Sequence, residues 1–140
     1  MKNKMVQFTC IVNASLEKVW EHLIYKIENP EHFVPDVSNV IISEKNTDFV
    51  SRQMTVTNSE STTVLKEKIT FIPYKVRFLL LEHPIMEGYV DNDIRMISDD
   101  ETEMTFTINW IDKKTKTEIN NQELVKNAVL KTKTYIENNK

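Results

Sequence analysis

Hydrophobic positions along this chain change their spacing three times. From Met5 to Val12 they alternate, with Val6, Phe8, Cys10 and Val12 on one face, the period of a half-buried strand. From Leu16 they recur three and four apart, and Leu16, Val19, Trp20, Leu23, Ile24 and Ile27 form the stripe of an amphipathic helix. Ser15 stands where an N-cap belongs, and Glu17 falls in the first turn, where the helix dipole favours an acid. Pro30 forces this helix to stop near Glu28, because the residue before a proline is pushed out of the helical region. Glu31 to Val34 leaves room for about one further helical turn before Pro35 breaks the chain again.

After Pro35 the period returns to two. Val37 to Ser43, Asp48 to Thr57, Thr62 to Ile72, Tyr74 to Glu82, Gly88 to Ile97 and Thr102 to Asp112 are rich in Val, Ile, Thr, Phe and Tyr. Short polar or proline-bearing turns separate them, which predicts consecutive antiparallel hairpins. The last change comes at Glu118, where a helix is predicted to run to Glu137. Leu124 (or Val125), Ala128, Val129, Thr132 and Ile136 form its buried stripe, with Tyr135 at the edge. The order is one strand, a helix, a short helix, six strands and a long helix. This is an α+β chain in which a curved, seven-stranded antiparallel sheet wraps the C-terminal helix. Residues 1–140 are expected to make a single domain. A concave sheet closed by one helix is hard to fill with side chains, so an interior pocket of a few hundred Å³, suited to an apolar ligand, is expected.

Alternation also shows which polar residues share the apolar face. Val50, Met54 and Val56 face inward with Arg52 among them, and Leu65, Ile69 and Phe71 with Glu67 among them. If Asn58 to Ser61 forms a four-residue hairpin loop, Thr57 pairs with Thr62 and Arg52 falls directly opposite Glu67. The same count turns Val76, Phe78 and Leu80 inward. It groups Val90, Asn92, Ile94 and Met96 on one face, and Met104, Phe106, Ile108 and Trp110 on another. The expected wall is apolar and aromatic, with Arg52, Glu67 and Asn92 as polar intrusions. Arg52–Glu67 reads either as a closed structural pair or as a handle for a ligand's carboxylate, phenol or carbonyl. A carboxylate tied to an arginine is a weak general base, so no catalytic residue is assigned. Phe106 and Trp110 are core or ligand-stacking surfaces. Tyr135 either aims its hydroxyl at the cavity or stays half-exposed.

Composition removes several alternatives. Gly88 is the only glycine, and the glycine-rich phosphate loops and the nucleophile elbow each need two or more. Cys10 is the only cysteine, so there is no internal disulfide, which suits a cytoplasmic location. A net charge of −3 gives no reason to expect nucleic acid as a partner. No run approaches the roughly 18–20 apolar residues of a membrane span, and the N-terminus lacks a signal peptide's apolar centre. His22, His32 and His83 are scattered, without HExxH or paired CxxC spacing, so neither metal nor cofactor is expected.

The element order, with Ser15-Leu16-Glu17-Lys18-Val19-Trp20, resembles the SRPBCC superfamily, which includes START domains and birch-pollen-allergen-like proteins. Within it, ENPEHFVP (Glu28 to Pro35) resembles the AtaL-like branch, and GYVDNDI (Gly88 to Ile94) and EMTFTINW (Glu103 to Trp110) are similar to that branch's later strands. The resemblance implies a helix-grip fold with an internal cavity but no fixed chemistry. The reading is a small-molecule binding protein for a lipid, polyketide or other aromatic metabolite, held by Arg52, Glu67, Asn92, Phe78, Phe106, Trp110, Phe33 and Tyr135. In it, Phe33 and Val34 plug the open end of the sheet, and His32 stands at the rim. The rivals are a polyketide cyclase or aromatase using the same cavity, and a co-chaperone-like module working through its outer face. An N-terminal strand at a sheet edge would also allow a homodimer.

Overall fold

The computed structural model describes residues 6–118 and 121–140. Seven strands form one antiparallel sheet: β1 Val6–Val12, β2 Val37–Lys45, β3 Val50–Thr57, β4 Thr62–Ile72, β5 Lys75–Glu82, β6 Met86–Ser98 and β7 Glu101–Asp112. Their spatial order is β1-β7-β6-β5-β4-β3-β2. Six strands thus follow one another as a meander, and β1 returns to the edge beside β7. Helix α1 spans Leu16–Glu28, one 3₁₀ turn spans Pro30–His32, and helix α2 spans Gln122–Asn138. No helix of the described residues is long and apolar enough to cross a membrane.

Local chemistry sets these boundaries. The Ser15 hydroxyl accepts from the Lys18 backbone N–H at 3.2 Å and caps α1. Pro30 stands at the first position of the 3₁₀ turn, where its missing N–H costs nothing. The final helix starts at Gln122 instead of Glu118, because Asn121 caps it, its side-chain oxygen accepting from the Leu124 N–H at 3.1 Å. Glu118 is drawn into a bridge with Ile111. Met5, expected to open the first strand, lies outside the described residues.

One continuous core joins α1, α2 and the inner sheet face, with Val12, Val19, Leu23, Ile69, Val76, Met104, Val129 and Ile136 almost fully enclosed. The buried stripe of α2 is Val125, Val129, Thr132 and Ile136, and Leu124 points outward. Thr132 can be buried because its hydroxyl donates to the Ala128 carbonyl one turn back, at 2.8 Å. Inward alternation on β6 ends at Ile94. Met96 is exposed, next to the irregularity that follows it in the β6–β7 pairing.

Gly88 sits opposite Trp110 with φ of 122°. A Cβ added there would lie 2.0 Å from the Asn109 carbonyl oxygen, a backbone atom that cannot move aside. Gly88→Ala is therefore expected to cost about 1–3 kcal/mol from backbone strain and overpacking. Chemical denaturation measures it, and a loss within a few tenths of a kcal/mol would contradict this close approach.

Candidate functional site

The register between β3 and β4 places Thr57 opposite Thr62 and Arg52 opposite Glu67, the pairing the hairpin count requires. On the next strands Phe78 pairs with Val90, and Asn92 with Phe106. Arg52, Glu67, Phe78, Asn92 and Phe106 are each no more than 4% exposed. The sheet thus brings five of the eight candidate residues to the middle of its inner face.

The group that links them comes from α1. Lys26 is 5% exposed and points down from the helix onto this part of the sheet. Its ammonium donates to Asn92 Oδ1 at 2.6 Å. It also stands 4.2 Å from the centre of the Phe106 ring and 5.1 Å from that of Phe78. The Arg52 guanidinium lies 5.3 Å from the same Phe78 ring. Through Nη2 Arg52 donates to Glu67 Oε1 at 2.5 Å, and through Nη1 to the Ile27 carbonyl at 2.7 Å. Arg52 therefore neutralises a carboxylate and also satisfies a terminal carbonyl of α1, at the helix end where positive charge is favoured.

Two cations and one carboxylate thus share a nearly dry space. Burial draws the Lys26 amine down to about 7, repulsion from Arg52 adds to the effect, and Glu67 partly opposes it. Two donors in the group have no acceptor among the described residues: Arg52 Nε and Asn92 Nδ2 are buried without a hydrogen-bond partner. An unsatisfied buried donor costs about 1–3 kcal/mol, so a pair of them in one cluster is costly unless something else supplies oxygen acceptors.

Strand alternation does not reach Lys26, although the helix carries a signal for it. It lies seven residues after Val19 and three after Leu23, on the apolar stripe itself. A lysine at that phase has to bury its stem, and here it buries its charge as well. Its side chain fills the middle of the wall where an open pocket was expected. Two grooves among the described residues, of about 720 and 580 Å³, open elsewhere on the surface and touch none of these six residues.

The other three candidates are not part of this group. Trp110 packs in a neighbouring apolar cluster with Met54, Leu65, Leu80 and Met86, and its ring lies 5.8 Å from His83. Its indole N–H is buried without a partner among the described residues. Phe33 and Tyr135 meet each other instead, 4.6 Å apart between ring centres. They join the 3₁₀ turn to the last turns of α2. Tyr25 and His32 complete this aromatic cluster, the Tyr25, His32 and Tyr135 ring centres lying 5.4 to 6.4 Å from one another. Phe33 is fully buried, so the motif around it ties two helical elements together. Phe33→Leu is expected to cost about 1–2 kcal/mol, the aromatic pairing plus a small cavity. A thermal melt checks it, and no change in melting temperature would contradict the packing role.

The AtaL family model, described as acetylaranotin biosynthesis cluster protein L, matches residues 9–138. The chain belongs to the AtaL family. No curated protein matches it in sequence. Among solved structures, the Zhui aromatase/cyclase from Streptomyces sp. R1128 superposes with a TM-score of 0.71 at 16% identity, over 96% of this chain and 89% of that one. A START superfamily protein from Mycobacterium smegmatis superposes with a TM-score of 0.69 at 15% identity, over 97% and 96%. At these identities the likeness is one of fold, and the fold is the helix grip expected from the element order.

Proposed function

We propose that this AtaL-family protein holds a small apolar or aromatic molecule between α1, α2 and the inner sheet face. The polar end of the ligand would meet Lys26, Arg52, Glu67 and Asn92. The observation that carries this reading is the pair of unpartnered donors, Arg52 Nε and Asn92 Nδ2, buried beside a desolvated amine and two phenyl rings. A closed structural ion pair has no need of them, whereas oxygen atoms of a bound ligand are the acceptors such donors lack. Burial of apolar surface at about 25 cal/mol per Å² would supply most of the ligand's affinity.

A second reading, an enzyme of the aromatase/cyclase kind, gains support from Lys26. Such an enzyme needs a group that gains and loses a proton inside the cavity near neutral pH. Glu67, His32 and Tyr135 are weak candidates for that role. An amine drawn to about 7 is a better one.

The test is native mass spectrometry of protein purified from its own host. A bound molecule at one per chain, lost on Arg52→Met substitution, is the expected result. A bare chain that also takes up no aryl ketone or naphthol from a probe panel would overturn the proposal.

A further inference from the structure

We infer that Lys26 captures a carbonyl compound covalently, its side-chain nitrogen forming an imine with a ketone or aldehyde group of the bound ligand. The inference rests on the ligand-binding reading and adds the chemical class of the ligand's polar end.

Three observations point to a carbonyl. First, the nucleophile is a primary amine with a single hydrogen-bond acceptor among the described residues, Asn92 Oδ1 at 2.6 Å, which orients it and leaves its lone pair free once it is neutral. Second, the surroundings favour the neutral form. Burial removes the water an ammonium needs, and a second cation, Arg52, lies against the Phe78 ring. These outweigh the pull toward the charged form exerted by Glu67 and by the Phe106 and Phe78 rings, 4.2 and 5.1 Å from the nitrogen. A lysine in an apolar pocket beside another cation is the general arrangement for an amine that attacks carbonyls. Third, the unpartnered donors belong to the residues around that amine. Asn92 offers Nδ2–H from the amide that already holds Lys26, and Arg52 offers Nε–H. The Asn92 N–H, on the amide that holds Lys26, is the kind of donor a carbonyl oxygen needs as it takes on negative charge.

The chemistry balances without an outside reagent. The neutral nitrogen donates its lone pair to the carbonyl carbon, and the carbonyl π pair moves to oxygen, held by the Asn92 N–H. A proton passes from nitrogen to that oxygen, giving a carbinolamine. Its C–O bond then breaks as the nitrogen lone pair moves in. The oxygen leaves as water after taking a second proton, and the nitrogen's remaining N–H proton is released in its place. The carbon–nitrogen double bond remains, so one water is released for each carbonyl consumed and nothing is oxidised or reduced. Glu67 is held by Arg52 at 2.5 Å and keeps the cluster from carrying two uncompensated cations before the amine loses its proton.

The experiment uses two probes of the same shape, 2-naphthaldehyde and 2-naphthol, the second lacking a carbonyl. The full chain is incubated with each, and sodium borohydride reduces any imine to a stable amine that peptide mass spectrometry can locate. The expected result is one naphthylmethyl group per chain on Lys26, formed at least about tenfold faster than on surface lysines, because far more of Lys26 is neutral. Labelling should rise through about pH 7. Lys26→Met and Lys26→Arg should both lose the specific label, whereas Lys126→Arg, on the exposed face of α2, should keep the label and still bind 2-naphthol, measured by calorimetry. If 2-naphthol binds but the aldehyde label spreads over surface lysines, the imine is overturned and the binding reading stands. If neither probe binds, both fall together.

Discussion

Arg52→Met is expected to lower the unfolding free energy at neutral pH by about 3–5 kcal/mol, the cost of leaving a buried charge without its partner. Three losses coincide. Glu67, only 4% exposed, loses the guanidinium that neutralises it. The Ile27 carbonyl at the end of α1 loses its donor. The Phe78 ring loses the cation lying against it. The methionine keeps most of the apolar volume, so the effect reports the charge rather than a cavity. Urea denaturation measures it. Arg52→Met combined with Glu67→Leu should recover a substantial part, because removing both ions leaves no orphan. A single-variant loss below about 1 kcal/mol, the range of solvent-exposed pairs, would mean the network is hydrated.

The second large effect is a dependence of stability on alkaline pH, centred on Lys26. Its amine ordinarily titrates near 10.5, and in the folded chain it titrates near 7. Below pH 7 the lysine is protonated in both states, and folding bears the whole cost of burying the ammonium. Between about 7 and 10.5 the folded state has released a proton that the unfolded chain still holds, so stability rises with pH across that window. The full rise is on the order of 4–5 kcal/mol, since each tenfold change in proton affinity is worth about 1.36 kcal/mol. Lys26→Met should remove it. The variant should be more stable than the parent at pH 7, and the difference should shrink toward pH 10. Subtracting the two stability profiles isolates this group from the other lysines and tyrosines that titrate at alkaline pH. A difference that stays flat from pH 6 to 10 would show that Lys26 keeps an ordinary affinity for its proton.

These two effects oppose each other in one small volume. Arg52 holds the end of α1 onto the sheet, while Lys26, in the last turn of that helix, pushes against it. A chain selected for stability alone would place methionine or leucine at position 26. The burial of an amine there instead is what supports assigning the cluster to binding or catalysis. The aromatic group of Tyr25, His32, Phe33 and Tyr135 makes a different case. Each ring finds an aromatic neighbour, and Phe33 is fully enclosed, so packing accounts for it.

Much of the architecture was legible because strand and helix periods are local. The alternation of β3 and β4 and the length of the Asn58 to Ser61 loop were enough to set Arg52 against Glu67, well down the hairpin from its turn. The only glycine marked a position where β6 passes too close to Asn109 for any side chain. Pro30 and Pro35 marked the two breaks that separate α1, the 3₁₀ turn and β2.

What the sequence by itself determined is the order of elements, the register of the central hairpin and the polar residues facing inward, all of which follow from side-chain direction along single strands. It could not determine which helix would meet that face, or with what. Lys26 lies on the apolar stripe of α1, but only the packing angle of that helix puts its nitrogen beside Phe106 and Phe78 and within a hydrogen bond of Asn92, sixty-six residues away. The tertiary structure also decided that Trp110 packs apart from the Lys26 group, and that Phe33 closes on Tyr135. Contacts between elements distant in the chain depend on how whole faces dock, and the free energy of an ionised group depends on what those faces exclude. Neither is encoded in the spacing of residues along one segment.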